Sequence, residues 1–373
     1  MKIAVNTRLL RKNKMDGIGW FTYNTLKKIT VEHPEIEFHF FFDSGVDNSF
    51  IFSDNIIPHN LFPPAKHAIL NIAWFEVSVK TRLKHINPDL FLSPDGILCL
   101  GWAGRQYGVI HDLNFYHMPE VLKFSNRKYY NYYFPKFAEK AARIGTVSNF
   151  SKEDITQNFG IDQAKIDVLY NGINDFFTPC DDETIKKTRL HITNGEPYFV
   201  FTGSLSPRKN ILRLMQAFDL YKQITKSSEK LVIAGSNLYR AKALRGFKEK
   251  MLFGKDVLFT GHISNAEMNN IVGSALAMVF VPVFEGFGIP PLEAMQCNIP
   301  VIASNTTSVP EITGDAALLV DPYNIDDIAR AMISIKTDEA LRDALILRGN
   351  LRKSYFSWDK TSDLLWDSFN KIM

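Results

Sequence analysis

The chain has 373 residues, of which 46% are hydrophobic and 22% are charged, and its formal net charge is +3. This length exceeds one comfortable hydrophobic core and predicts two domains, and the composition excludes a disordered or fibrous protein. The small net charge, without a long basic run, gives no reason to expect a nucleic-acid partner.

Cysteine usage and hydropathy bear on the compartment. Cys99, Cys180 and Cys297 are widely spaced and include no CxxC pair, which favours a reducing compartment and disfavours a zinc site. The first residues read as a short strand rather than a signal peptide, and no stretch approaches the roughly 18 uninterrupted apolar residues of a membrane span. We expect a cytoplasmic protein, or one that touches only the inner face of the membrane.

Strands and helices alternate along the first half of the chain, which predicts a doubly wound parallel sheet. Strands are expected at residues 2–6, 38–42, 89–92, 106–110, 144–147 and 165–169. Helices are expected at residues 20–32, 72–84, 127–142 and 151–158, whereas residues 44–70 give no clear pattern.

The alternation restarts after residues 174–194, a polar segment that we interpret as an inter-domain linker with a short helix. Strands are expected at residues 198–202, 231–234, 257–260, 275–284, 301–303 and 317–320, and a helix at 210–225. The predicted domains are residues 1–173 and 195–356. Ligands bind such sheets beyond the carboxyl ends of the strands, so we expect the site in a cleft between the lobes.

Residues 283–295, with the sequence VFEGFGIPPLEAM, predict a glycine turn between a strand and a helix. Such a turn presents backbone N–H groups and the positive end of a helix dipole to an anion. Pro290 and Pro291 have no N–H to offer. The donors expected to remain belong to Gly286, Phe287, Gly288, Ile289 and Leu292.

Two glutamates and two cations in the second half admit both structural and functional interpretations. Glu293 could be a favourable acid in a first helical turn, whereas no cap explains Glu285. The pair suits hydrogen bonds to the hydroxyls of two sugars on one ligand. Arg208 and Lys209 are either solvated loop charges or the partners of a diphosphate, which would offset their unfavourable position at a helix N-terminus.

The first half holds weaker signals. Gly17 and Gly19 lie in a loop before a helix, but Thr22 occupies the third position of G-x-G-x-x-G, which disfavours a Rossmann dinucleotide site. His111 ends a strand, a common catalytic placement, although a lone histidine is more often structural. The aromatic residues 129–134 indicate either a helix packed on its own lobe or a face for lipid or acceptor.

Taken together and in order, these motifs resemble the GT-B glycosyltransferases of family 4, the retaining group that uses nucleotide-sugar donors. The resemblance covers nearly the whole chain and rests on seven motifs, namely residues 17–19, 111–113, 146–151, 170–173, 203–210, 285–288 and 291–295. The motifs of the first lobe are most similar to those of bacterial mannosyltransferases of O-antigen and capsule assembly.

The resemblance implies roles for residues of the second domain. Glu293 would hold the ribose hydroxyls and Glu285 the hydroxyls of the donor sugar, while Arg208 and Lys209 would neutralise the diphosphate without a metal. Backbone groups at residues 286–289 and at Leu292 would bind the sugar and phosphates. Ser204 would also bind the donor, and Ile263 would meet the base. His262, where a small or aromatic residue is frequent, leaves the base open.

For the first domain, the resemblance implies that Gly17 and Gly19 approach the diphosphate when the lobes close. His111 would line the transfer site near the donor sugar. A C-terminal helix within residues 357–373 would return to complete this domain.

The function implied is retaining, metal-independent transfer of a hexose from a nucleotide sugar, either GDP-mannose or a UDP-hexose, to a glycan or lipid-linked acceptor, with mannose as the first candidate. No cofactor is expected. A nucleotide-sugar epimerase or hydrolase of the same fold and a non-catalytic nucleotide-sugar binder remain alternatives.

Overall fold

The structure is a computed structural model that describes residues 1–12, 15–65, 67–235, 241–261 and 263–373. The chain divides into two compact units: Met1–Gly172 with Ser357–Met373, and Ile173–Phe356. Residues 174–194, predicted as a linker, lie in the second unit and carry a helix there. In the order of the chain, the second unit is an insertion into the first.

The first unit is built on a seven-stranded sheet in which every neighbouring pair is parallel. Its strands are β1 Lys2–Asn6, β2 Glu37–Phe42, β3 Ile56–Asn60, β4 Leu90–Ser93, β5 Gln106–Val109, β6 Arg143–Thr146 and β7 Ile166–Val168. They lie in the order β3-β2-β1-β4-β5-β6-β7. Strand β3, which the sequence analysis did not predict, contains Pro58, and an edge position tolerates the missing N–H.

Helices connect these strands. They are α1 Gly17–Glu32, α2 Ala68–Ala73, α3 Lys80–Ile86, α4 Asn114–His117, α5 Phe124–Lys140 and α6 Asn149–Phe159, and a π-helical segment, Trp74–Val79, joins α2 to α3. Helix α1 begins earlier than predicted because Asp16 Oδ1 accepts a hydrogen bond from Gly19 N at 3.0 Å. Gly17 and Gly19 therefore belong to the first helical turn rather than to a loop before it.

The second unit repeats this plan on a six-stranded parallel sheet. Its strands are β8 Tyr198–Thr202, β9 Lys230–Ala234, β10 Val257–Gly261, β11 Ala277–Phe280, β12 Val301–Ser304 and β13 Ala317–Val320. Their order is β10-β9-β8-β11-β12-β13. Its helices are α7 Asp182–Thr193, α8 Ile211–Thr225, α9 Ala241–Lys248, α10 Asn265–Gly273, α11 Ile289–Gln296, α12 Val309–Thr313, α13 Ile325–Thr337 and α14 Glu339–Arg352.

The strand order reverses at one place in each sheet, between β1 and β4 and between β8 and β11. We call these places the switch points. Loops leave the sheet in opposite directions there and open a crevice at the carboxyl ends of the strands, where ligands of such sheets bind.

The prediction of one strand over residues 275–284 is wrong, since β11 ends at Phe280. Pro282 has no N–H to donate, and Val283 N donates to Arg208 O at 2.8 Å rather than to a neighbouring strand. This hydrogen bond connects the end of the apolar run to the loop after β8.

The C-terminal helix, α15 Trp358–Asn370, packs within the first unit. Leu365 and Phe369 are fully buried, and the Phe369 ring meets the Tyr107 ring edge-on at 5.1 Å between centroids. The Tyr107 hydroxyl also lies 2.8 Å from Ser368 Oγ. The last helix therefore contributes to the core of the unit that the first residues begin.

Candidate functional site

The loop after β8 brings two predicted cations to the switch point of the second unit. The chain turns at Gly203, whose φ of 131° favours glycine, and forms one 3-10 turn over Pro207–Lys209 before α8. Gly235, at the end of β9, approaches closely, because an added Cβ there would come within 1.9 Å of Gly203 O. This close packing fixes the start of the loop.

Arg208, Lys209 and Glu285 form a single ion cluster. Glu285 Oε1 lies 2.5 Å from Arg208 Nη1 and 2.6 Å from Lys209 Nζ. The Glu285 and Lys209 side chains are nearly buried, whereas that of Arg208 is 21% exposed. Burial acts to raise the pKa of Glu285, but the two cations outweigh it and the pKa is lowered. The ionised cluster thus carries one net positive charge.

This contact differs from the expectation from the sequence, in which Arg208 and Lys209 bind a diphosphate and Glu285 binds the hydroxyls of a sugar. The structure shows the carboxylate holding both cations. Lys209 Nζ also lies 4.8 Å from the centroid of the Phe280 ring. The two positive charges are therefore fixed in place before any ligand arrives.

Glu293 lies in the second turn of α11, so the dipole of a first turn does not account for it. Burial raises its pKa to about 7, although the charge of Lys209 lowers it somewhat. The residue is partly exposed, and its carboxylate accepts no hydrogen bond from any residue that the structure describes. A carboxyl group with a raised pKa and no protein partner, close to a cation, is a candidate ligand-binding group.

The backbone between these glutamates is buried at Gly286, Phe287 and Gly288. Gly288 has a φ of 100° and precedes α11, a conformation that glycine adopts without strain. The Phe287 ring meets the Phe356 ring edge-on at 5.8 Å. Ile289 is partly exposed and Leu292 fully buried, so Leu292 anchors the helix start.

Thr307 and Ser308, which the sequence analysis missed, hold this backbone from the loop after β12. Ser308 Oγ lies 2.9 Å from the carbonyl oxygens of both Glu285 and Phe287. Thr307 Oγ1 accepts a hydrogen bond from Glu285 N at 3.3 Å. A serine before a Val-Pro helix start looks like an N-cap, but Ser308 makes no capping hydrogen bond, so no local signal reveals its contact.

The other predicted donor residues of this unit lie at the same edge of the sheet. Ser204 is exposed in the loop after β8, and Ile263 is partly exposed after β10. Because all six strands are parallel, both residues leave the sheet at its carboxyl edge. His262 lies outside the described residues. The binding roles of Ser204 and Ile263 stay predictions.

A cavity of about 650 Å³ also lies beside the loop after β8. It is lined by Leu205, Ser206, Pro207, Asn210, Ile211, Leu212, Arg213, Gln216, Ala243, Leu244 and Phe247. None of the charged residues of the switch point lines it. The candidate site rests on the ion cluster and Glu293 rather than on this volume.

In the first unit, His111 follows β5 and is held at the end of β4. Its Nε2 donates to Pro94 O at 2.8 Å, and its ring meets the Phe21 ring edge-on at 5.1 Å. Burial lowers the pKa of His111 in spite of the Pro94 carbonyl and nearby carboxylates, so the imidazole is neutral near pH 7. It presents Nδ1 as its acceptor nitrogen.

The two glycines of α1 differ in their surroundings. A Cβ on Gly19 would lie 3.0 Å from Met15 Cβ and 3.2 Å from Leu9 O, so the packing around this glycine is tight. A Cβ on Gly17 would have nothing within 4 Å. Approach of a ligand remains a prediction for both glycines.

Residues 129–134 lie on α5 and mostly support the structural interpretation. Tyr129 and Phe134 are buried in the core of the unit, while Tyr132 is 59% exposed. Among the described residues, no helix is long and apolar enough to cross a membrane. The same part of the chain contains no group of three or more His, Cys, Asp or Glu that could hold a metal ion.

Two family models match successive parts of the chain. Residues 32–177 match Glycosyltransferase Family 4, and residues 182–352 match Glycosyl transferases group 1. O-antigen chain mannosyltransferase B of Escherichia coli is 27% identical over 68% of this chain and 67% of its own length. O-antigen chain mannosyltransferase RfbU of Salmonella typhimurium is 30% identical over 63% of this chain and 61% of its own length. About a third of the first relative and about two fifths of the second therefore lie outside the aligned region.

The solved structure of Anabaena Alr3699/HepE in complex with UDP-glucose superposes with a TM-score of 0.77 at 16% identity and covers all of both chains. Two parallel α/β units with this strand order and these neighbours define the GT-B class of glycosyltransferase. The chain belongs to the glycosyltransferases of family 4 and group 1, with one matched region in each of its two units.

Proposed function

We propose that the protein is a retaining, metal-independent glycosyltransferase that transfers a hexose from a nucleotide sugar to a glycan or lipid-linked acceptor during synthesis of a cell-surface polysaccharide. The observation that carries this proposal is the cluster of Arg208, Lys209 and Glu285 beside Glu293 at the switch point of the second unit. It offers positive charge to a diphosphate and a carboxylate to sugar hydroxyls.

The charge of the cluster supports the chemistry proposed. When the bond to the donor sugar breaks, negative charge develops on the departing diphosphate. Arg208 and Lys209 are already fixed by Glu285, so they need little rearrangement to stabilise that charge. A preorganised donor of this kind contributes about 3–4 kcal/mol to a transition state. This step does not require a metal ion.

GDP-mannose is the first candidate donor, because two similar proteins are named O-antigen chain mannosyltransferases. A UDP-hexose is the second candidate, because HepE has been crystallised with UDP-glucose. The reaction belongs in the cytoplasm, where nucleotide sugars are made, and lipid-linked acceptors would bring the enzyme to the inner membrane surface.

A donor screen tests the proposal. Release of nucleoside diphosphate from GDP-mannose, UDP-glucose and UDP-galactose is measured with and without glycan acceptors, and the anomeric configuration of the product is read by NMR. We expect release that depends on an acceptor, a product with the anomeric configuration of the donor, and full activity in EDTA.

Each alternative gives a different result. An epimerase converts the sugar without an acceptor, a hydrolase releases free sugar, and a non-catalytic binder releases nothing. Loss of activity in EDTA would contradict the metal-independent mechanism, and an inverted anomer would contradict the retaining one.

A further inference from the structure

Six of the described residues other than glycine have a positive φ, a conformation that residues with a Cβ rarely adopt. Four of them lie at the C-terminal ends of helices, where a left-handed residue is common, namely Asn87, Asn194, Lys226 and Asn298. The other two adjoin the ion cluster of the second unit. Asn210 follows Lys209 in the chain, and Thr307 contacts the backbone of Glu285.

Thr307 is the unusual residue of this group. Asparagine visits the left-handed region readily, whereas threonine is β-branched, and its φ of 57° is therefore strained. A glycine at this position would adopt the same conformation without strain. Strained residues persist only where the surrounding contacts hold them, and they cluster at functional sites. The contacts of the Thr307 side chain therefore indicate what the strain maintains.

The Thr307 hydroxyl connects two backbone groups. Its Oγ1 donates to Thr306 O at 2.7 Å and accepts a hydrogen bond from Glu285 N at 3.3 Å. The next residue, Ser308, donates from Oγ to Glu285 O at 2.9 Å. Two consecutive hydroxyl groups thus hold the N–H and the C=O of one residue. Glycine at position 307 would relieve the strain but would remove the acceptor of Glu285 N.

The residue before Thr307 carries a second energetic cost. Thr306 Oγ1 is buried and has no hydrogen-bond partner among the described residues, although buried polar groups are normally paired. The loop after β12 is therefore not arranged to satisfy its own side chains. Its conformation is explained by the backbone that it holds.

Glu285 transmits the position of this backbone to the two cations. Its Oε1 lies 2.5 Å from Arg208 Nη1 and 2.6 Å from Lys209 Nζ, and the carboxylate is nearly buried. A shift of the Glu285 backbone would move the carboxylate on which the positions of both cations depend. Thr307 thus acts on the cations through Glu285.

We propose that Thr307 is a positioning residue whose strained conformation holds the Glu285 backbone, so that the Glu285 carboxylate fixes Arg208 and Lys209 for the departing diphosphate. This inference rests on the proposed function, since it concerns the same site. The diphosphate carries more negative charge after it leaves the sugar than it does within the donor. Loss of the Thr307 hydroxyl should therefore affect kcat and the binding of nucleoside diphosphate more than the KM for the donor.

Three variants test this role by calorimetric titration with GDP and UDP. Thr307→Gly relieves the strain and removes the hydroxyl, and we expect roughly 3- to 10-fold weaker binding, as for the loss of a neutral hydrogen bond. Thr307→Ser keeps the hydroxyl and should restore binding. Lys226→Gly relieves a left-handed residue at the C-terminal end of α8 and is the matched control, with unchanged binding.

Thermal unfolding and kinetics complete the test. Thr307→Gly should unfold at no lower temperature than the wild type, because the relief of strain offsets the lost hydrogen bond. In an active enzyme it should lower kcat 3- to 10-fold and change the KM for the donor by less.

Two results would overturn the positioning role. One is equal binding of nucleoside diphosphate by the wild type and Thr307→Gly, and the other is an equal loss of binding in Thr307→Ser and Thr307→Gly. If no sugar is transferred, but Thr307→Gly weakens the binding of GDP or UDP and Thr307→Ser restores it, the proposed function fails while the role of Thr307 stands.

Discussion

Glu285 Oε1 contacts both Arg208 and Lys209, so none of the three residues can be changed in isolation. Removal of either cation leaves a carboxylate that repels the diphosphate more strongly. Removal of the carboxylate leaves two neighbouring cations that repel each other, one of them buried. Glu285 therefore serves the fold as well as the reaction, and its substitutions will affect both.

We expect Arg208→Ala and Lys209→Ala to lower kcat by about 100-fold or more, because each removes a preorganised charge from the transition state. Steady-state kinetics with the donor identified by the screen measure the effect. Arg330→Ala, at a surface arginine that is 67% exposed, is the control and should behave as the wild type. An unchanged kcat in both cluster variants would refute the assignment.

The raised pKa of Glu293 predicts a dependence of stability on pH. Its pKa is about 7 in the folded protein and about 4.5 in the unfolded chain, so ionisation favours unfolding. The destabilisation is absent below pH 4.5, grows as the pH rises and is complete above pH 7. Glu293→Gln should therefore raise Tm at pH 8 by a few degrees, and by less at pH 5. A gain of equal size at both pH values would contradict the raised pKa.

The same substitution separates structure from binding. If Glu293 holds ribose hydroxyls, Glu293→Gln weakens donor binding while it stabilises the fold. Calorimetric titration with the nucleoside diphosphate measures the first effect at a pH where the second is known. Tighter or unchanged binding would remove Glu293 from the donor site.

At the scale of elements, the loop of residues 285–288 takes its shape from a neighbour that is distant in sequence. Ser308 Oγ reaches two of its carbonyl oxygens, and Ser308→Ala removes both contacts. We expect about a 10-fold loss of kcat/KM with a small loss of stability, since one or two neutral hydrogen bonds are at stake.

Thermal unfolding and kinetics of Ser308→Ala measure both effects. The matched control is Ser354→Ala, because Ser354 is exposed and its hydroxyl also donates to a backbone carbonyl, that of Leu351, at 2.8 Å. Wild-type kinetics in Ser308→Ala would show that the loop holds its shape without this hydroxyl.

Local patterns predicted most elements of both sheets, but not all. Five-residue apolar runs such as residues 198–202 are unambiguous. Edge strand β3 was not predicted because Pro58 interrupts its pattern. Residues 275–284 were predicted as one strand because the hydrogen bond from Val283 N to Arg208 O cannot be recognised in the sequence. No helix was predicted where the structure has α4, α9, α10, α12, α13 and α14.

The residues of the candidate site were also predicted only in part. The resemblance pointed to Arg208, Lys209, Glu285 and Glu293, and the structure brings them to one switch point. The contact between Glu285 and the cations, which spans 77 residues of the chain, could not be derived from local sequence. The contacts of Ser308 with Glu285 and Phe287, which are 23 and 21 residues away in the chain, could not be derived from local sequence either.

At the scale of the whole molecule, each unit carries one charged cluster at its own switch point, and the two differ in net charge. The cluster in the second unit carries one net positive charge, whereas in the first unit the ion pairs Arg8–Asp95 and Arg11–Asp43 are each neutral. The positive cluster suits the diphosphate of the proposed donor. Both clusters follow from the same strand order and differ only in the residues of their loops.

Deletion of residues 357–373 should unfold the first unit and leave the second folded. The deletion uncovers the surface that Leu365 and Phe369 occupy, and each fully buried side chain of this size contributes about 1.5–3 kcal/mol. Limited proteolysis followed by mass spectrometry should show rapid cleavage within residues 1–172 and protection within 173–356. Equal protection of both units would contradict the prediction.

The position of α15 also sets an order of events on the ribosome. Most of the first unit is translated before the second unit. The aromatic partners of Tyr107 and Phe21 on α15 are nevertheless translated after the second unit. The second unit is contiguous and can fold as soon as its last residues appear. The unit whose synthesis starts first is thus completed last, and until then the rings of Tyr107 and Phe21 lack the packing that α15 supplies.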